Sequence, residues 1–397
     1  MINRKAYELG SRRSVIREIF EYGKKRAAEI GEENVYDFSL GNPSIEGPRI
    51  VQETLERLIK ETPYVQLHGY TSAQGDKECR EKIAESLSIR FGIRVSADDL
   101  YLTCGAAACL TISLRALCNE GDEVVAFAPF FPEYREFTNA AGAELVVVKP
   151  DNRFMPDFDA FERAISNKTK AVIVNSPNNP SGVVYDEETI LRLAEILKKK
   201  SEQFQKNIYL ISDEPYRELV YDKRTEVPFL TKYYKETIVC YSYSKSLSLP
   251  GERIGYILVN PEAPDKKDIY AAVCGSGRAM GFVCAPSLFQ RVVAECDGKT
   301  GDLNAYKRNR DLLYRGLTEY GFDCIYPDGA FYLFVKAPKG DAETFCQKAK
   351  EKELLLVSGS GFGCPGYVRI AYCVDESKIV RALPVFQALA KEYGLKK

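Results

Sequence analysis

Residues 237–259 read TIVCYSYSKSLSLPGERIGYILV, two apolar strand-like runs (Thr237–Tyr243 and Gly255–Val259) joined by a polar, glycine-containing segment that carries Lys245 and Arg253. A lysine just past an apolar strand, with Gly251, Arg253 and Gly255 close behind, is a candidate site for a charged ligand. Working outward, the same grammar repeats. Upstream lie further strand-like runs at Leu100–Cys104, Glu123–Phe127, Glu144–Val148, Lys170–Asn175 and Ile208–Ser212. Between several of them, apolar residues recur every three or four positions, as in Ala106–Asn119, Asp157–Ile165 and Glu187–Lys200, which predicts helices. Strand–helix alternation of this kind predicts an α/β fold, a mainly parallel, doubly wound sheet covered on both faces. Ligands of such sheets bind beyond the carboxyl ends of the strands.

Four of these strand ends carry polar or glycine-rich segments. Leu100–Cys104 ends in Gly105-Ala106-Ala107 and Lys170–Asn175 in Ser176-Pro177-Asn178-Asn179-Pro180-Ser181-Gly182. Ile208–Ser212 ends in Asp213-Glu214-Pro215-Tyr216, and Thr237–Tyr243 contains Ser242 and runs into Ser244-Lys245. Taken singly, each has a plainer reading: a turn glycine, an Asn-Pro turn, a helix-capping aspartate, a solvated lysine. Four converging on one rim fit a site for a charged cofactor.

After Pro286 the pattern changes to a long helical segment, Ser287–Tyr320, then short strands at Phe331–Val335 and Val368–Ala371 with helices around them. This predicts a smaller α+β domain. Residues 46–285 form the expected large domain, and 1–45 with 286–397 the small one.

Composition narrows the function classes. The chain has 397 residues, 45% hydrophobic and 28% charged, with formal net charge −1, so no electrostatic case exists for nucleic acid or an anionic membrane as partner. Basic runs such as Lys198-Lys199-Lys200 and Lys24-Lys25-Arg26 are expected to be solvated helix faces. The basic N-terminal stretch MINRKAYELGSRRSVIREIF is followed by no apolar run, and nothing approaches the ~20 apolar residues of a membrane span. Twelve cysteines are scattered without CxxC spacing, which suits a reducing cytoplasm better than a disulfide or zinc scaffold. With His68 the single histidine, a multi-histidine metal site is excluded, and no metal is expected. Chemistry must run on Lys, Asp, Tyr, Arg or a cofactor.

The segment Ser242-Tyr243-Ser244-Lys245, followed by Gly251-Glu252-Arg253-Ile254-Gly255, resembles the class I/II aminotransferases of pyridoxal 5'-phosphate (PLP) fold type I. Asn179-Pro180-Ser181-Gly182 and Asp213-Glu214-Pro215-Tyr216 match in family order, and the motifs span roughly residues 38 to 372. The resemblance implies a cytoplasmic, homodimeric, aspartate aminotransferase-like enzyme that moves an amino group between an L-amino acid and a 2-oxo acid. Lys245 would hold PLP covalently and shuttle the proton. Asp213 would stabilise the protonated pyridine nitrogen, which strengthens the electron sink. Tyr216 and Asn179 would donate to the phenolic oxygen. The phosphate would meet Arg253, Ser242, Ser244 and the backbone N–H groups of the Gly105-Ala106-Ala107 helix start. Phe131 stands where the family stacks an aromatic on the ring.

For the substrate, the resemblance assigns the α-carboxylate to Arg369 in Val368-Arg369-Ile370, a planar fork suited to a carboxylate. Gly41 matches a loop that touches the same group, and the resemblance assigns Asn179 to substrate binding as well. Tyr70, in Gly69-Tyr70-Thr71-Ser72-Ala73-Gln74-Gly75, matches a tyrosine sent into the neighbouring subunit's site, which implies a twofold dimer. Some aspartate-selective relatives carry a lysine where this chain has Ala107. Arg278, among Gly275, Gly277 and Gly281, is read as a loop residue reaching the distal carboxylate of aspartate, glutamate or 2-oxoglutarate. Two alternatives stand beside this. One is a PLP-dependent carbon–sulfur lyase or aminocyclopropane-carboxylate synthase-like enzyme. The other is a non-catalytic effector-sensing module, disfavoured because the motifs begin too early to leave room for a DNA-binding segment.

Overall fold

Runs of Val, Ile and Leu bounded by Gly, Pro and Asp favour buried strands, and seven of them assemble into one sheet. In the computed structural model the described residues are 2–11 and 15–395; the rest, including part of the basic N-terminal stretch, lie outside them. The strands are β1 (Leu100–Thr103), β2 (Glu123–Phe127), β3 (Glu144–Val148), β4 (Thr169–Asn175), β5 (Tyr209–Asp213), β6 (Thr237–Ser242) and β7 (Gly255–Val259). Their order is β1-β7-β6-β5-β4-β2-β3, with β7 antiparallel to both its neighbours and the remaining pairings parallel.

Both faces of the sheet are buried, and strand periodicity shows it. In β6, Ile238 and Cys240 join one core and Val239 and Tyr241 the other; in β7, Ile257 and Val259 part from Tyr256 and Leu258 in the same way. Successive side chains of a strand point to opposite faces, so near-continuous apolar runs supply two cores at once. Helices close both sides. Glu187–Phe204, for example, is capped by Asp186, whose carboxylate accepts from Thr189 N at 2.9 Å, as an N-cap should.

A second body forms on β8 (Tyr332–Lys336), β9 (Val357–Ser358) and β10 (Tyr367–Ala371), antiparallel in the order β9-β10-β8. Helices Leu303–Glu319 and Glu376–Tyr393 contribute Leu313, Leu317, Ile379 and Phe386 to its core. The N-terminal segment joins it: Tyr36–Asp37 pairs in parallel with Leu354–Leu355, and Phe38 is buried there.

The single long helix expected over Ser287–Tyr320 is two helices, Ser287–Cys296 and Leu303–Glu319. Gly298 between them adopts a left-handed φ of 75°, and Asp302 caps the second helix by accepting from Asn304 N at 2.9 Å. The first helix places Val292 and Val293 in the core that holds Tyr241 and Tyr256. By packing it therefore belongs to the large body, although it follows Pro286. No helix among the described residues is long and apolar enough to cross a membrane.

Candidate active site

Parallel strands deliver their carboxyl ends to one edge. Asn175, Asp213 and Cys240 lie side by side there, Asp213 in register with both. Asp213 is 4% exposed. Its Oδ2 accepts from the Tyr134 hydroxyl, while its Oδ1 is buried with no partner among the described residues. Burial pushes the carboxyl up to about 7, the Tyr134 bond pulls it down, and Glu214 pushes it up again. A carboxylate left half-satisfied in a dry place is costly unless a cation or donor completes it.

One strand over, Ser242 ends β6 and caps the short helix Tyr243–Ser246 that carries Lys245. Lys245 is half-buried. Its Nζ donates to Gly41 O at 2.6 Å and sits 5.5 Å from the Phe331 ring centre. Burial lowers its pKa to about 8, with Arg253 and Arg369 adding to that and Cys373 opposing it.

Gly105 opens the helix Ala106–Leu117 from a φ of 81°. A Cβ there would stand 3.0 Å from Arg253 Nη2 and 3.4 Å from Ser242 Oγ, so only glycine leaves this corner clear. Arg253 is exposed and its partners are neutral oxygens: Ser244 Oγ at 3.4 Å, Cys104 O at 3.3 Å and Pro250 O at 3.0 Å. Ser242 and Ser244 share a hydroxyl bond of 2.8 Å. A helix start, two hydroxyls and an exposed guanidinium with no counter-ion among the described residues form a basic corner suited to a phosphate.

The second body supplies the opposite wall. Arg369, in the middle of β10, is 2% exposed. It donates from Nη1 to Asn179 Oδ1 at 3.1 Å and from Nη2 to Ser39 O at 2.5 Å, and its Nε has no partner among the described residues. The Tyr332 and Phe362 rings lie 4.7 and 5.0 Å from its guanidinium carbon. Tyr216 shares a 2.9 Å hydroxyl bond with Tyr332, whose own hydroxyl abuts Gly41 so closely that a Cβ there would clash at 1.9 Å.

The contacts thus join Lys245, Gly41, Tyr216, Asn179 and Arg369 into one cluster. Gly105, Ser242, Ser244 and Arg253, reached from the Lys245 helix, form its basic corner. Asp213 is tied to Phe131 through Tyr134, whose ring Phe131 meets edge-on at 5.8 Å. Ala106 and Ala107 are partly exposed in the first turn after Gly105. Two expected residues stand apart within one chain. Tyr70 is 99% exposed. Arg278, read as a loop residue, instead occupies the last turn of the helix Lys266–Ala279 and is exposed. Gly277 there gives close packing rather than mobility, since a Cβ would stand 2.3 Å from the Tyr101 hydroxyl.

Sequence reasoning passed over Tyr134, Tyr332 and Asn175, whose Nδ2 donates to Asp213 O at 2.9 Å and whose Oδ1 accepts from Asn179 N at 2.8 Å. Tyr134 lies in the same Pro129–Tyr134 segment as Phe131, which was the available hint.

Comparison with known proteins sets this geometry in context. The family model for aminotransferase class I and II matches residues 33–386. A probable aspartate aminotransferase of Methanocaldococcus jannaschii is 31% identical over 389 residues, covering 95% of this chain and 96% of the relative. A probable aspartate/prephenate aminotransferase of Thermus aquaticus is 32% identical over 376 residues, covering 92% of this chain and 94% of the relative. Among solved structures, an amino transferase from Eubacterium rectale is 59% identical with a TM-score of 0.96, covering 99% of both chains. The aspartate aminotransferase of Thermus thermophilus, solved with maleate, is 26% identical with a TM-score of 0.86, covering 98% of this chain and 100% of that one.

Proposed function

The chain belongs to the class I and II aminotransferase family and is an aminotransferase; we propose that it works with PLP held at Lys245, on dicarboxylic amino and 2-oxo acids, as a homodimer. The single observation that carries the cofactor reading is the orphaned, buried Oδ1 of Asp213 on the same strand edge as the Lys245 helix. The residues present fit PLP on two counts. Asp213 offers a carboxylate oxygen that a protonated pyridine nitrogen would complete, and Gly105 keeps clear the basic corner beside Arg253 and Ser242.

PLP, when bound, supplies an electron sink for the pair left at Cα once its proton is removed. The chain's own residues do the rest. Lys245, brought down to about 8 by burial, is a base matched to neutral solution: its Nζ takes the Cα proton and returns it. Arg369 binds the α-carboxylate, for which its buried Nε has no competing partner among the described residues, and this fixes the substrate's orientation. Asp213 keeps the ring nitrogen cationic, Tyr216 and Asn179 donate to the phenolic oxygen, and Phe131 covers the ring. Arg253, Ser242, Ser244 and the Gly105–Ala107 backbone hold the phosphate.

Relatives named as aspartate aminotransferases, and one solved with the dicarboxylate maleate, support the dicarboxylic reading. The dimer reading draws on a surface. Tyr70 follows exposed Tyr64 and Val65 in the chain, and its segment is bonded to the one after exposed Met280 and Val283, where Cys284 N donates to Ala73 O at 3.2 Å. Large apolar side chains left exposed in these two segments suit an interface. All twelve cysteines are unpaired, which supports a reducing cytoplasmic setting. A panel of amino donors against 2-oxoglutarate, with glutamate paired instead with oxaloacetate because its exchange with 2-oxoglutarate leaves no net change, tests the proposal: aspartate and glutamate should lead, and exchange with none of the donors would overturn it.

A further inference from the structure

Tyr134 has no part in the motifs, yet it is the one side chain among the described residues that donates to the Asp213 carboxylate. It sits in the first turn of the helix Glu133–Ala140, 1% exposed, between Phe130 (ring centres 6.4 Å apart) and Phe131 (5.8 Å). No other acceptor among the described residues competes for its hydroxyl proton. Burial holds the phenol well above its usual range, with Asp213 adding to this, so it remains a donor throughout the working pH range.

The surroundings make that bond consequential. The titratable groups around Asp213 are Glu214, Tyr216, Cys109 and Cys240. Cys109 and Cys240 are buried and held protonated by burial, Glu214 is committed to Ser212 and Arg217, and Tyr216 to Tyr332. Among the described residues no cation pairs with the carboxylate, and Tyr134 is the one that stabilises its charged form from the protein side. A hydrogen bond to the ionised form favours that form.

We infer that Tyr134 is a positioning residue that acts through Asp213, setting how the shared proton divides between that carboxylate and the pyridine nitrogen of PLP. The inference rests on the proposed cofactor site. Without the Tyr134 bond, Asp213 becomes the stronger base, draws the proton toward Oδ1 and leaves the ring nitrogen more neutral. The electron sink weakens, while substrate capture by Arg369 is untouched.

The test uses holoenzyme reconstituted with PLP carrying nitrogen-15 in its ring, read by NMR, with steady-state kinetics alongside. Tyr134→Phe keeps the aromatic packing and removes only the hydroxyl. Its ring-nitrogen resonance should move toward that of neutral pyridine, and kcat should fall about ten- to a hundred-fold, as losing a hydrogen bond to a charged group implies, with KM for the amino acid little changed. Should that variant fail to fold, 3-fluorotyrosine at position 134, a more acidic donor, should move the resonance the opposite way. A resonance identical to wild type in the variant that folds, with PLP bound, overturns the inference. Asp213→Asn separates the two layers. If it too leaves the resonance unmoved, the cofactor site itself is wrong; if it moves the resonance while Tyr134→Phe does not, only the role of Tyr134 falls.

Discussion

Replacing Arg369 by methionine should separate binding from stability in a way few substitutions can. The guanidinium is almost fully buried, makes two hydrogen bonds to the neutral acceptors Asn179 Oδ1 and Ser39 O, and leaves its Nε unmet. The two bonds, each to a charged donor, contribute about 1.5–3 kcal/mol apiece, and the Tyr332 and Phe362 rings add about 1–2 kcal/mol. Against them stands the desolvation of a cation, several kcal/mol even after relaxation. These terms oppose one another and are similar in size, so the unfolding free energy of Arg369→Met should change by less than about 2 kcal/mol. Nothing offsets the loss in catalysis. A buried charge pair with the α-carboxylate is worth about 2–5 kcal/mol, which lowers kcat/KM by roughly 30-fold to several thousand-fold. The assay compares each amino acid with the corresponding amine lacking the carboxylate, alongside urea unfolding. A large loss confined to the amino acid is expected. Equal losses on both donors, or a collapse in stability, would refute the assignment of Arg369 to the carboxylate.

Three further outcomes follow from the geometry. In the cofactor-free protein the raised Asp213 holds a proton that the unfolded chain releases, so its contribution to stability is present at low pH and disappears as pH climbs through about 7. Urea unfolding between pH 5 and 8 should show wild type losing stability relative to Asp213→Asn by up to about 1.4 kcal/mol per pH unit, and parallel curves would contradict this. Tyr70→Phe should weaken PLP retention in the dimer, measured by dialysis and analytical ultracentrifugation, and a fully active monomer would contradict the shared site. Arg278→Ala should lower kcat/KM for aspartate and 2-oxoglutarate by about 10- to 1,000-fold and spare phenylalanine; equal effects on aspartate and phenylalanine would leave Arg278 a solvated residue of its helix.

What the sequence disclosed follows the range of the forces involved. Strand runs and their Gly, Pro and Asp terminators are local, so all seven large-sheet strands were legible to within a residue or two. So were the polar strand ends, because parallel strands must bring them to one edge. Juxtapositions between distant segments left no local trace. Ser39 and Arg369 meet across 330 positions and Tyr134 and Asp213 across 79, with no spacing rule to announce either bond. Glycine misled once. Gly275 and Gly277 suggested a mobile loop at Arg278, whereas Gly277 serves the close approach of Tyr101 within a helix. The helical period across Ser287–Tyr320 likewise concealed a turn, since its apolar residues face two different cores.

The central claim is that Lys245 is the residue to which PLP is joined. Borohydride reduction of the purified holoenzyme, followed by proteolysis and mass spectrometry of the labelled peptides, tests it most directly. Because burial sets Lys245 near 8, labelling of the apoprotein by added PLP should rise with a midpoint near that pH, below the range of ordinary exposed lysines. The account predicts a pyridoxyl group on the peptide containing Ser244-Lys245-Ser246 and loss of the visible absorption band. A pyridoxyl group on another lysine, or none on any, would contradict it.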